Sequence, residues 1–288
     1  MPTRRLVLLG GLTAGGALVV GYAIWPSDRL ARADRLAAGP HEHFVNNWIK
    51  IARDDTITVV VPHQDMGTGI FTALPQMAAE ELDADWSKVR SEQAPADTEF
   101  ANAALAEGFG LYRAGIDPQS VPPFLRELAL RGFRIIAEHM NLQVTGGSSA
   151  VRFTGVYGMR VAGAAARTML IRAAAERWDV EPGSCSTRMS RVHHDPSGRS
   201  FSYAELVKEA AGFDPPLDPR LKPKSAYTLV GRSLPRADIP DKINGTAIYG
   251  IDVVVPQMCY AAISICPAFG GRLKSVDATA AKGRRGVR

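Results

Sequence analysis

Thiols are scarce in this 288-residue chain, which has only Cys185, Cys259 and Cys266. An odd number excludes a fully paired set of intrachain disulfides. It also excludes two iron–sulfur clusters held within the chain, since each takes about four thiolates. Cys259 and Cys266 fall in apolar, strand-like runs and are expected to be inert packing residues. Nucleic-acid signatures are missing too. A net charge of +5 and a pI near 9.2 permit contact with anionic surfaces, but no stretch interleaves basic with aromatic side chains, so neither DNA nor RNA is expected as a partner. The cluster Lys282, Arg284, Arg285 and Arg288 reads as a solvated end. Metal-ligand patterns are equally thin. His193 and His194 are adjacent and on a strand would point to opposite faces, and His41-Glu42-His43 has no Cys or His cluster near it, so no metal ligand is assigned. An acyl-transfer site with Ser148 as nucleophile and His63 as base lacks a Gly-x-Ser-x-Gly elbow and a paired acid. There is no internal repeat. With 46% apolar and 22% charged residues, the chain is an ordinary globular sequence, long enough for one large domain or two modest ones.

The sequence does carry two glycine turns in matching contexts. Thr56-Ile57-Thr58-Val59-Val60-Val61 alternates and is β-branched, as a half-buried strand should be. From Phe71 onward, Leu74, Met77, Ala78 and Leu82 recur at helical spacing. Pro62-His63-Gln64-Asp65-Met66-Gly67-Thr68-Gly69 therefore lies where a strand becomes a helix N-terminus. Free backbone N–H groups and the helix dipole there suit an anion, and glycine lets the backbone approach closely. A plain tight turn is the ordinary alternative. The second turn, Thr145-Gly146-Gly147-Ser148-Ser149, again precedes a long helix and has Arg152 beside it. Its ordinary alternative is an N-cap at Ser148 or Ser149. Together the two read as opposite walls of one site for an anionic ligand.

With both turns in view, the chain resembles the molybdenum subunit of the xanthine dehydrogenase and aldehyde oxidase superfamily, closest to the isoquinoline 1-oxidoreductase-type beta subunits. The resemblance rests on Val61 to Gly69, on Ala78-Ala79-Glu80-Glu81-Leu82-Asp83-Ala84-Asp85-Trp86, on Thr145 to Arg152 and on Gly163 to Leu170. It continues at Leu234-Pro235-Arg236, Gly245 to Asp252 and Phe269 to Asp277. It implies hydroxylation of an N-heterocycle or oxidation of an aldehyde with oxygen from water, at a molybdenum–molybdopterin cytosine dinucleotide. The protein would supply binding, orientation and electrostatics. Residue by residue, Gly67, Thr68, Gly69 and Thr72 would approach that cofactor from one side, and Gly146, Gly147, Ser148 and Ser149 from the other. Arg152 would pair with a phosphate or form a surface salt bridge. Thr68 departs from the usual glutamine, and a hydroxyl cannot reproduce an amide's donor and acceptor pair. The family's general-base glutamate lies beyond Arg288, and Glu80, Glu81 and Glu92 stand outside its motif. No catalytic residue is assigned, and the chain is expected to be a fragment that does not turn over alone. The three cysteines, joined to the resemblance, imply a separate small subunit with [2Fe–2S] clusters. Two other classes remain: a non-catalytic, membrane-tethered binding or assembly module of the same fold, and an exported hydrolase.

Arg4-Arg5 directly precedes Leu6 to Trp25, which holds no charged side chain and as a helix would span ~30 Å. Five glycines make it less apolar than a usual anchor, which fits a twin-arginine export signal. Ala31-Arg32-Ala33 has a small-x-small form, but its arginine favours a retained anchor on the periplasmic face of the cytoplasmic membrane. The fold class is α+β. Residues 1–33 are the signal or anchor, 44–212 a molybdopterin-binding domain, 213–233 a linker through Pro215, Pro216, Pro219 and Pro223, and 234–288 the start of an α/β hammerhead domain. Hairpins are expected around Arg53-Asp54-Asp55 and Asp195-Pro196-Ser197-Gly198. Trp86 to Glu92 is read as a strand, and helices are expected from Pro122-Pro123 and from Tyr157 to Trp178. A capping box is expected at Ser202 to Glu205. Ala94 to Gln119 reads as irregular with a Gly108-Phe109-Gly110 turn. Thr246 to Val255, Met258 to Cys266 and Arg272 to Asp277 read as strands.

Overall fold

The computed structural model describes residues 29–116, 121–216 and 218–287. It divides into two compact units, one running to Ile243 and one from Asn244. The uncharged segment Leu6 to Trp25 lies outside the described residues. Among the described residues, no helix is long and apolar enough to cross a membrane.

The first unit opens with helix α1 (Arg29–Ala37) and a sheet of β1 (Glu42–Asn46), β2 (Ile49–Ala52), β3 (Ile57–Val61) and β5 (Val89–Gln93), in the order β1-β2-β3-β5. β1, β2 and β3 run antiparallel, joined at β2–β3 by the expected turn, where Asp55 takes φ +66° and the Asp54 carboxylate accepts the Thr56 N–H at 3.0 Å. β3 and β5 are parallel, with Ile57 opposite Val89 and Val61 opposite Gln93. All five β3 residues are buried because both faces are covered: Ile57, Val59 and Val61 pack into the main core, and Val60 packs with Phe44 and Phe100 on the other side. The β3–β5 crossover carries helix α2 (Ile70–Leu82), which lays Ile70, Leu74, Ala78 and Leu82 into the main core.

Two further helices, α3 (Ala103–Ala114) and α4 (Pro123–His139), follow β5 and pack against each other; the proline pair opens the second as expected. Helix α6 (Arg160–Trp178) packs against α2 through small residues. At the crossing a Cβ on Gly163 would lie 2.3 Å from the Ala78 carbonyl oxygen, so only glycine lets the helices approach this closely. A three-stranded sheet of β7 (Ser186–Arg188), β8 (Arg191–His194) and β9 (Arg199–Ser202) then leads into α7 (Tyr203–Ala210). Both halves of the capping box form at Ser202 and Glu205. The architecture mixes helices with small antiparallel and mixed sheets, which is α+β.

Residues read as a linker form a strap across α2 up to Val230. Glu80, 1% exposed, accepts the N–H groups of Thr228, Leu229 and Val230 at 2.8, 2.6 and 2.9 Å. Glu81 accepts the Lys222 N–H at 2.9 Å and pairs with Arg160 at 2.6 Å. Gln76 donates to the Leu229 carbonyl. Prolines keep this stretch out of regular structure, and buried carboxylates on α2 supply the acceptors that its backbone would otherwise lack.

Three expectations are corrected. Gly108-Phe109-Gly110 is not a turn but lies inside α3. The glycines clear space for rings: a Cβ on Gly108 would meet Phe153 at 2.3 Å, and one on Gly110 would meet Phe133 at 2.6 Å. The apolar runs after Gly245 contain no strand among the described residues. A strand needs a partner for its ladder hydrogen bonds, and Ile251 and Phe269 instead stand 92% and 109% exposed. Cys259 and Cys266 are therefore exposed rather than packed.

Candidate functional site

Beyond Pro62 the chain makes a two-residue strand, β4 (His63–Gln64), which pairs in parallel with β6 (Val144–Thr145). His63 lies opposite Val144, and the Gly146 N–H donates to the Gln64 carbonyl at 2.9 Å. Parallel strands end at the same side, so the two glycine turns emerge next to each other. Each opens a helix: α2 at Ile70, and α5 (Ser148–Phe153) at Ser148. α5 continues through a π-helical stretch, Thr154–Met159, into α6. The Thr68 hydroxyl donates to the Gly146 carbonyl at 2.8 Å and joins the turns directly. Beneath them the Ile70 side chain sits where a Cβ on Gly146 would be, 2.7 Å away.

The first turn is held by its own aspartate. Asp65 Oδ1 accepts the N–H groups of Gly67 at 2.8 Å and Thr68 at 3.0 Å, while Gly67 and Gly69 take φ of +92° and +77°. Those two N–H groups are thus committed within the protein. The N–H groups of Gly69, Ile70 and Phe71, at the start of α2, have no acceptor among the described residues. They are the donors left for a ligand. A Cβ on Gly67 or Gly147 would meet nothing within 4 Å, so both positions open onto free space.

A buried polar network fixes the strand ends. His63 Nδ1 donates to the Val144 carbonyl at 2.9 Å, and Nε2 accepts the Thr154 hydroxyl at 2.7 Å. Asn102 donates to Thr154 Oγ1 at 2.8 Å, and its carbonyl oxygen caps α3 by accepting the Leu105 N–H at 3.0 Å. This set fits a neutral His63, with Nδ1–H as donor and Nε2 as acceptor. Burial pushes the imidazole pKa below its ordinary value, against the opposing effect of the Val144 carbonyl. His63 therefore works as a structural tie, with neither nitrogen free to activate Ser148.

The sequence-predicted residues divide accordingly. Gly67, Thr68, Gly69, Gly146, Gly147 and Ser148 come together, and Ser149 lies in the first turn of α5. Thr72 is buried, and its hydroxyl oxygen accepts the Ala237 N–H at 2.8 Å, which turns it toward the protein. Arg152 lies over the rings of Phe153 and Tyr112, at 4.9 and 5.6 Å from their centroids, as a cation–π pair. Sequence reasoning passed over Asp65, Asn102, Thr154 and Arg236. Asp65 had a local signal, since an aspartate two residues before glycine favours this side-chain turn. Arg236 donates to the Gly67 carbonyl at 3.1 Å across 169 residues of sequence, which no local pattern foretells.

Known proteins resemble this chain in sequence over most of its length. The sequence profile of the molybdopterin cofactor-binding domain matches residues 20–108, which contain the first glycine turn. The beta chain of isoquinoline 1-oxidoreductase from Brevundimonas diminuta is 32% identical over 99% of this chain and 36% of its own length. The membrane-bound aldehyde dehydrogenase (pyrroloquinoline-quinone) of Gluconacetobacter polyoxogenes is 32% identical over 99% of the chain and 32% of its own. A nicotinate dehydrogenase subunit from Pseudomonas putida is 29% identical over 94% of the chain and 19% of its own. The chain thus spans 36% or less of each of these relatives' lengths. The profile and the 32% identity to relatives aligned over 99% of the chain support a molybdopterin-binding subunit of the xanthine dehydrogenase and aldehyde oxidase family.

Proposed function

We propose that this chain forms one wall system of the cofactor site in an exported molybdenum hydroxylase that oxidises an N-heterocycle or an aldehyde. The observation that carries the reading is the pair of glycine turns at the ends of parallel β4 and β6, each opening a helix and tied together by Thr68 and Gly146. The residues present fit a molybdopterin dinucleotide, taken here in its cytosine form. Gly67 and Gly147 leave open space for close approach. The unengaged N–H groups of Gly69, Ile70 and Phe71 suit an anionic group as fixed donors that need no reorganisation. When bound, the group supplies the redox chemistry that places oxygen from water on the substrate.

The chain's own contribution is to bind and orient. His63, Asn102 and Thr154 fix the strand ends from which both turns project. Glu80 and Glu81 are held by the strap and Arg160, and Glu92 pairs with Lys50 at 2.7 Å. None of these three is free to act as general base. The same observation supports a second reading, a cofactor-binding or assembly module without catalysis. The quinone in the name of the Gluconacetobacter relative offers another cofactor, but the profile over residues 20–108 favours the pterin.

Electrons would leave through a small [2Fe–2S] subunit, since three cysteines cannot hold two clusters here. Export would follow the twin-arginine route, because Arg4-Arg5 precedes an uncharged segment and this route carries proteins already loaded with cofactor. Ala33 is fully buried, and Arg32 pairs with Asp97 and Glu99, so cleavage at Ala31-Arg32-Ala33 would cut a packed helix. That supports a retained anchor. Replacing Arg4 and Arg5 with lysine is expected to strand the protein in the cytoplasm, and normal periplasmic delivery of that variant would refute the route. The enzyme reading is tested by purifying the complete subunit with its partners and supplying a heterocycle or aldehyde in isotopically labelled water. We expect bound molybdenum, iron in a second polypeptide, and label in the product. A metal-loaded, substrate-competent preparation whose product carries no label would overturn it.

A further inference from the structure

The first glycine turn carries a feature that the shared motifs leave unexplained. Asp65 Oδ1 is saturated by two backbone N–H groups, but Asp65 Oδ2 is buried and accepts no hydrogen bond among the described residues. A buried carboxylate oxygen without a donor is costly. The cation facing it is Arg236, whose Nη2 lies 3.8 Å away. Arg236 is itself gripped by Asp238, through Nε at 3.0 Å and Nη2 at 2.6 Å, and it donates Nη1 to the Gly67 carbonyl at 3.1 Å. Lys242 adds a second cation to Asp238. One residue along, the Ala237 N–H donates to Thr72 in the first turn of α2. Arg236 therefore spans a carbonyl and a carboxylate of the glycine turn on one side and Asp238 on the other. A Cβ on Gly69 would lie 3.7 Å from the Arg236 Nε, so this guanidinium packs directly against the turn.

We propose that Asp65 and Arg236 form a latch that positions the Gly67-Thr68-Gly69 turn, with Arg236 as a positioning residue for the cofactor wall. It acts through the Gly67 carbonyl and the Asp65 carboxylate, without touching the cofactor itself. The latch explains why the Leu234 to Asp238 stretch, remote in sequence, lies on this turn. A planar guanidinium can serve a carbonyl and two carboxylates from one fork, which an ammonium cannot. The inference rests on the cofactor reading only for its consequence, since the latch is a property of the turn.

The test uses the full chain purified without cofactor from a host that cannot make molybdopterin, and the same variants from a competent host. Arg236→Gln, Asp65→Asn, their double and Arg236→Lys are compared by amide exchange at Gly67 and Thr68 and by pterin content per folded protein. Loss of a charge-assisted contact is expected to speed exchange at these two amides by about tenfold or more in each single variant. The double variant is expected to be no worse than the worse single, because both break one interaction. Arg236→Lys is expected to restore protection only in part. Wild-type exchange rates in folded Arg236→Gln, additive effects in the double, or full restoration by lysine would each overturn the latch. Faster exchange together with undiminished pterin would keep the latch and remove its link to cofactor binding. Absence of pterin from wild-type protein made in the competent host, with exchange changed as expected in the variants, would sink the cofactor reading and leave the latch standing.

Discussion

At the scale of single residues, the site is built from groups whose chemistry is turned inward. His63 is the clearest case, since a histidine beside a glycine turn invites a catalytic reading, yet both its nitrogens are committed in a buried network. Its depressed pKa makes a prediction with a definite sign. Between the ordinary histidine value near pH 6.5 and the lower folded value, the unfolded chain takes up a proton that the folded chain resists. Stability from this group is therefore complete above about pH 6.5 and is lost as pH falls below it. Urea unfolding of wild type against His63→Gln should show a steeper acid loss in the wild type over that range. Parallel pH profiles would argue against a neutral, buried His63. Thr68 is the residue-level departure from the family pattern, and the structure gives it a task of its own. Its hydroxyl ties the two turns by donating to the Gly146 carbonyl.

At the scale of elements, the sequence was legible wherever periodicity and local turn chemistry act together. The β2–β3 hairpin, the β8–β9 hairpin, the capping box of α7 and the long helix ending at Trp178 all follow from patterns within about ten residues. The failures share one cause, which is that the deciding contact is distant. Gly108 and Gly110 looked like turn residues, and only Phe153 and Phe133, brought in from other helices, show that they make room inside α3. Alternating apolar runs beyond Gly245 looked like strands, but a ladder needs a partner that local sequence does not supply. The proline-rich strap looked like a linker because its hydrogen-bond acceptors, Glu80 and Glu81, sit 148 and 141 residues earlier than the groups they receive. Glu80 should therefore matter more to stability than a surface glutamate. Burial raises its pKa, but the N–H groups of Val230, Leu229 and Thr228 and the Lys222 charge together outweigh burial and lower it. Glu80→Gln replaces the acceptor of three backbone N–H groups with an uncharged amide and is expected to cost about 3 kcal/mol. The loss should appear as a lower urea midpoint together with faster amide exchange at Thr228 to Val230. An unchanged midpoint would mean that the strap does not depend on this carboxylate.

At the scale of the whole molecule, the family resemblance was legible because ordered motifs run nearly end to end, and the profile and the relatives agree with it. The meeting of the two turns was legible only as an expectation. Parallel pairing of β4 with β6, two residues each, is too short to announce itself in sequence. The account's central claim is that these turns together hold the cofactor, and one measurement tests it most directly. Gly69→Val and Gly147→Val are introduced separately into the complete subunit, and molybdenum and pterin are counted per folded molecule. Gly69 sits at φ +77°, where a β-branched residue is strained, and the open space at Gly147 would be filled by the added side chain. The account predicts that each variant folds, as judged by circular dichroism and a cooperative thermal transition, and retains little molybdenum or pterin. Full loading of both folded variants would contradict it.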